Sequence, residues 1–148
     1  MTTRADVAAE ARAWLGTPFA HQARTKGLGT DCGGLVGGVA VALGIVSPDW
    51  WQTHFDPRFG GYGRQPANGT LQRVLESFMA RGDDPQCGDV VLMSFASEPQ
   101  HVGILANYRW GGLSIVHALE AAGKVIEHRL SPIWRSRIVA GYAYPGVT

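Results

Sequence analysis

Gly29-Thr30-Asp31-Cys32-Gly33-Gly34-Leu35-Val36 is the stretch that decides the fold: a glycine-bearing loop runs into an apolar helix with a cysteine on its first turn. The first N–H groups of a helix lack intrahelical partners, and the helix dipole places partial positive charge among them. Both favour thiolate over thiol. A free cysteine titrates at about 8.5, and a helix N-terminus with a neighbouring imidazolium brings it below neutrality. Asp31 suits the N-cap, its carboxylate accepting from the N–H groups that follow. Cys32 therefore reads as a nucleophile, the alternative being a small apolar residue buried at a helix start.

The helix runs to Leu43, with Gly44 as its stop and Leu35, Val36, Val39 and Leu43 on its apolar side. Gly33, Gly34, Gly37 and Gly38 lie inside it. Each interior glycine costs about 1 kcal/mol against alanine, so the four require compensation, and close packing against a sheet would supply it. Upstream, Val7, Ala11, Trp14 and Leu15 mark one face of a helix from Arg4 to Leu15. Thr3 and Asp6 form its capping box; Gly16 and Pro18 end it. The loop from Gly16 to Thr30 carries Phe19, His21 and Gln22. His21 either lines the site of Cys32 or is a solvated loop histidine.

Downstream, Ser47 to Gly69 scatters Trp50, Trp51, Phe55, Phe59 and Tyr62 among Gly, Pro and polar residues without a period. Irregular connections of this length tend to be functional. The aromatics fit a wall of a substrate groove, a docking surface, or a flap over the core. His54 reads as structural. Thr70 caps a helix from Leu71 to Arg81 with a core stripe of Leu71, Val74, Leu75, Phe78 and Met79, ended by Gly82. Five Val- and Ile-rich runs follow, at 89–95, 101–107, 113–119, 124–130 and 137–144. Helices followed by strands predict an α+β fold, N-terminal helices packed on an antiparallel sheet of about five strands.

With 148 residues the chain reads as a single domain, 1–148, able to bury roughly two-thirds of its unfolded surface without a staple. Thirteen Lys and Arg against twelve Asp and Glu give a formal charge of +1, with no basic block of the kind a nucleic-acid partner requires. No run of about 18 apolar residues predicts a membrane span. The polar start at Thr2-Thr3-Arg4 lacks the apolar run of a signal peptide. Two cysteines, Cys32 and Cys87, are too few for a disulfide framework, and a bond between them would remove the nucleophile.

Two histidines supply the base that Cys32 needs. His101 opens one strand and His117 ends the next, with Tyr108-Arg109-Trp110 as the turn. Pairing Asn107 with Gly111 puts the two imidazoles directly opposite, with β-carbons about 5 Å apart. A shift of two residues leaves them diagonal on the same face. In a relay of this kind one imidazole takes the thiol proton while a third group fixes its orientation. The competing constellation is a zinc site from Cys32, Cys87, His101 and His117, which lacks the short ligand spacings of such sites. Cys87 reads as a half-buried loop thiol and His128 as a residue of the outer face.

At this point the sequence resembles the NlpC-type cell-wall peptidases, a branch of the papain-like cysteine peptidases. The matching blocks, in family order, are Trp14-Leu15-Gly16-Thr17-Pro18-Phe19, Asp31-Cys32-Gly33-Gly34-Leu35-Val36, Gly88-Asp89-Val90-Val91, His101-Val102-Gly103-Ile104 and Val116-His117-Ala118. The resemblance implies a papain-like fold with Cys32 as nucleophile, His101 as base and His117 as its orienting partner. Asp31, Phe19, His21, Gly33, Trp50 and Trp51 are the supporting or substrate-facing candidates. Where relatives often carry a tyrosine in the first loop, this chain offers Phe19 and His21. The resemblance implies hydrolysis of peptidoglycan stem peptides at the γ-D-glutamyl–diaminopimelate bond, without cofactor or metal. His21-Gln22 and the long stretch after the cysteine helix look like the subgroup from phage and gene-transfer-agent tail clusters. That implies tail proteins as partners, synthesis in the cytoplasm, and delivery to the wall within a tail particle. The alternative is a tail-assembly or docking protein that keeps the fold without turnover.

Overall fold

The computed structural model describes residues 1–55, 70–95 and 99–148 of the chain. Helix α1 (Arg4–Arg12) opens with the expected box, Thr3 Oγ1 accepting from the Asp6 N–H while the Asp6 carboxylate accepts from the Thr3 N–H. It ends at Arg12, earlier than its apolar spacing predicts, and Trp14 reaches the core from the turn that follows. The loop beyond holds a two-strand ladder, β1 (Arg24–Thr25) against β2 (Gly29–Thr30), directly before helix α2 (Cys32–Ala42).

Helix α3 (Pro48–Phe55) occupies part of the stretch that carries no period in the sequence. Trp51 is buried beneath it, and Trp50 packs on Phe78 with ring centroids 4.9 Å apart. Phe59, Tyr62 and the rest of that aromatic segment lie outside the described residues. Helix α4 (Thr70–Phe78) ends before Arg81 because Ala80–Gly82 leaves it to become an edge strand, β3.

Among the described residues the main sheet has six strands, against the expected number of about five: β3, β4 (Val90–Ser94), β5 (Pro99–Asn107), β6 (Leu113–Leu119), β7 (Lys124–Arg129) and β8 (Ile138–Ala143). Their spatial order is β3-β8-β4-β5-β6-β7, all neighbours antiparallel. Alternation sorts the side chains onto two faces. Val90, Leu92, Val102, Ile104, Ala106, Val116 and Val125 join Val7, Ala11, Leu35, Val36 and Val39 in the larger core, under α1 and α2. On the opposite face Val91, Met93, Leu105, Ile115 and Leu130 form a smaller cluster, covered by Trp134 of a short helix, α5 (Pro132–Ser136).

The glycines of α2 serve a different contact from the one expected. A Cβ on Gly37 would run into the Trp51 ring, one on Gly38 into the Trp14 ring, and one on Gly34 into the Ala23 carbonyl and Thr30 Oγ1. The helix is thus cleared for two indoles at Gly37 and Gly38 and, at Gly34, for the small β1–β2 ladder that delivers Asp31, rather than for the main sheet. The indoles return apolar burial of about 1.5–3 kcal/mol for a large side chain, which offsets the propensity lost at each glycine.

Candidate active site

Asp31 caps α2 as its sequence position predicts: Oδ1 accepts from the Gly34 N–H at 2.8 Å. Its Oδ2 accepts from the Gln22 N–H at 2.7 Å, and Gln22 holds a left-handed φ of 62°. A non-glycine residue in that conformation stores strain and persists where its surroundings hold it. One carboxylate therefore fixes the nucleophile's helix and the loop beside it. Half-buried His21 stands next to Gln22, and Phe19 packs against the core while its N–H donates to the Gly123 carbonyl.

Cys32 is a free thiol on the first turn of α2, as is Cys87 elsewhere. The β5–β6 ladder begins at Ile104 and Val116 although β5 extends back to Pro99 and β6 on to Leu119, so the β5 residues before Ile104 stand outside that ladder. There the Val102 N–H points at the Cys32 sulfur, joined by the N–H groups of Gly33 and of Cys32 itself. The nucleophile thus meets β5 one residue from His101. The three N–H groups act against two opposing effects. Burial first, and the Asp31 charge second, push the thiol up to about 12. The helix start alone does not produce the lowered value that its position suggests, because Cys32 is only 9 % exposed and water cannot reach the sulfur freely.

His101 and His117 come together on the smaller-core face. His101 Nε2 and His117 Nδ1 are 2.8 Å apart, with ring centroids at 5.0 Å. The register differs from direct opposition. Asn107 pairs with Leu113, so the turn spans Tyr108–Gly112, with Gly111 and Gly112 at positive φ, and the two histidines sit diagonally. Gly103 makes the diagonal possible: a Cβ there would stand 3.1 Å from His117 Cβ and 2.7 Å from Ile115 Cδ1. Burial pushes His101 down to about 4 and His117 to about 2, the latter also opposed by the charges that His101 and His128 would carry. Burial thus works against the imidazolium form of both rings and against the thiolate of Cys32 alike.

His128 is the residue that the sequence reading left out. It lies on the face away from α1 and α2, but His117 lies on that face too, and Trp134 of α5 covers both. Nε2 of His128 is 2.9 Å from Nε2 of His117, and its Nδ1 is 2.8 Å from the Arg129 carbonyl oxygen. Trp134 packs edge-on against His117 with centroids 5.0 Å apart, and stands at the same distance from His128. Phe95 contacts both His101 and Trp134, and the Arg137 guanidinium covers both aromatic rings. The β7 register carried the signal: His117 pairs with Ile126, which places His128 diagonal to it, the relation His101 also has. Trp50 and Trp51 are drawn into the core rather than towards these rings. Cys87 stands before β4, where Gly88 bonds Leu105, so it lies towards the other end of β5 from His101.

A family model described as the NlpC/P60 family matches residues 16–142. Among solved structures, the chain is similar to the NlpC/p60 domain of the peptidoglycan hydrolase SagA, at 17% identity and a TM-score of 0.60 over 96% of this chain and 99% of that one. It is also similar to an NlpC/P60 family protein from Bacillus cereus, at 19% identity and a TM-score of 0.64, covering 96% of this chain and 40% of that one. NlpC2 from Trichomonas vaginalis gives 15% identity and a TM-score of 0.66, over 97% and 48%. The chain thus spans less than half of those two proteins. No curated protein sequence matches it.

Proposed function

The chain belongs to the NlpC/P60 family, and on that premise we propose that it is a cysteine peptidase that hydrolyses peptidoglycan stem peptides, at the γ-D-glutamyl–diaminopimelate bond. One observation carries the reading: a free cysteine on the first turn of a helix meets β5 beside a histidine whose ring is held by a second histidine at 2.8 Å. A buried structural cysteine has no use for such a pair.

The chemistry is acyl transfer. Cys32 Sγ attacks the amide carbonyl as its proton passes to His101, and the imidazolium returns that proton to the departing amine as the C–N bond breaks. Water then adds to the thioester, one of its protons passing through His101 to the departing sulfur, and a free carboxylic acid leaves. The Cys32 N–H at the helix head is a donor for the oxyanion. His117 holds His101 in place, and Asp31, Gly33, Phe19 and His21 shape the loop and helix start around the sulfur.

The form of the sequence, His21-Gln22 in the first loop and a long stretch after α2, supports a setting within a phage-like tail, with tail proteins as partners and the tail particle as the route to the wall. A docking module without turnover is the second reading, favoured by the burial of Cys32. Incubating the chain and Cys32→Ala with diaminopimelate-type peptidoglycan, followed by mass spectrometry of released fragments, decides between them. Fragments that require Cys32 establish the peptidase, and their masses identify the bond. No release by the folded wild type favours the docking module.

A further inference from the structure

Three imidazoles in a row pose a question that the catalytic pair alone does not answer: which nitrogen of each ring carries the proton. The chain His101 Nε2···His117 Nδ1, His117 Nε2···His128 Nε2 and His128 Nδ1···Arg129 O has contacts of 2.8, 2.9 and 2.8 Å. Its last member is a peptide carbonyl, which only accepts. His128 Nδ1 must therefore bear a hydrogen. A neutral imidazole carries one N–H, so His128 Nε2 is bare and accepts from His117 Nε2–H. By the same step His117 Nδ1 is bare and accepts from His101 Nε2–H. Nδ1 of His101 is left unprotonated.

We propose that the Arg129 carbonyl, acting through His128 and His117, fixes the tautomers of all three rings and makes Nδ1 of His101 the atom that accepts the thiol proton. His128 is thereby a positioning residue, two rings removed from the chemistry. The surroundings support a relay rather than a chance row. His117 is fully buried, and Trp134 packs against both His117 and His128, so the middle of the row is shielded while its outer end, at Arg129, lies at the surface. The same hairpin, β6 to β7, carries His117, His128 and the Arg129 carbonyl, so one register sets the outer part of the row. The catalytic consequence rests on the peptidase reading; the proton order does not.

The test is imidazole nitrogen NMR on the full chain labelled in histidine, at pH 8, above the ordinary histidine range. The expected spectrum has His101 and His117 as Nε2–H tautomers and His128 as Nδ1–H. In His128→Ala the single tautomer at His101 gives way to a mixture, and kcat on peptidoglycan falls about tenfold with KM unchanged. His128→Gln offers a side-chain carbonyl to His117 and restores both. A wild-type His101 protonated at Nδ1 overturns the proposal, as do unchanged His101 and His117 tautomers in His128→Ala. Because the spectrum needs no turnover, a protein that releases no fragments yet shows the expected tautomers upholds the relay and fails only the functional reading.

Discussion

Replacing Gly103 with alanine tests the geometry of the histidine pair without touching either ring. The added Cβ would stand 2.7 Å from Ile115 Cδ1, 2.8 Å from its Cγ1 and 3.1 Å from His117 Cβ. Carbon atoms rest at about 3.5–4.0 Å, so Ile115 has to retreat by nearly 1 Å and His117 by about 0.4 Å. Ile115 is fully buried in the smaller core and has little room to yield. The His101–His117 contact of 2.8 Å then opens towards about 3.2 Å, the outer limit of a good hydrogen bond. Overpacking of this kind costs about 1–3 kcal/mol, reduced by the roughly 0.5–1 kcal/mol that alanine gains over glycine in a strand. At about 2–4 °C of Tm per kcal/mol for a chain near this size, Gly103→Ala melts several degrees lower. The histidine shift of about 0.4 Å is under half of the roughly 1 Å misplacement that costs about 100-fold, so turnover falls several-fold. Gly82→Ala is the control, since a Cβ added there meets nothing within 4 Å. Thermal melts and peptidoglycan cleavage of both variants read the outcome. Wild-type Tm and turnover in Gly103→Ala would refute the argument that the missing side chain lets the two histidines meet.

Acid should weaken the fold through the same pair. The folded-state values of His101 and His117, about 4 and about 2, lie below the ordinary 6.5, so the unfolded chain binds protons first. Their contribution is complete above about 6.5 and is lost as pH falls, at roughly 1.4 kcal/mol per pH unit for each group until its folded-state value is reached. Urea titrations between pH 7 and pH 4 should show this slope, and His117→Gln should lose part of it; equal slopes in both proteins would contradict the assignment. Asp31→Ala should cost about 1 kcal/mol as a lost cap. Removing its charge should also move the pH at which Cys32 alkylates downwards, because that charge helps to raise the thiol. Alkylation in a Cys87→Ser background reads the shift, and an upward move would mean that the cap's effect on the helix outweighs its charge.

What the sequence made legible was local. Asp31 and Cys32 sit at a helix start that composition and spacing announce, and the run at Leu113–Leu119 folds with the bounds its alternation suggests. His101 and His117 could be placed on one face because a two-residue shift preserves parity, while their diagonal offset depended on the five-residue turn that Gly111 and Gly112 permit. Helix α3 escaped because its indoles are adjacent at Trp50 and Trp51 rather than spaced by three or four. Ala80–Gly82 is three exposed residues and carries no pattern; only β8 beside it makes it a strand. The tryptophan contacts of Gly37 and Gly38 and the role of His128 depend on packing and pairing between distant segments, which no single window of sequence contains.

The loop from Gly16 to Phe19 has one more consequence. Gly16 N–H donates to the Val125 carbonyl, Val125 N–H to the Thr17 carbonyl, and Phe19 N–H to the Gly123 carbonyl, so this loop is laced along the start of β7. An outermost strand with bare amides invites pairing with another chain. Here the start of that flank is covered by the segment that leads to Asp31, and the opposite flank is β3, three residues long with Arg81 at its centre. Variants that loosen the loop to enlarge the site would therefore also uncover the start of β7, and should be judged by their tendency to aggregate as well as by their reactivity.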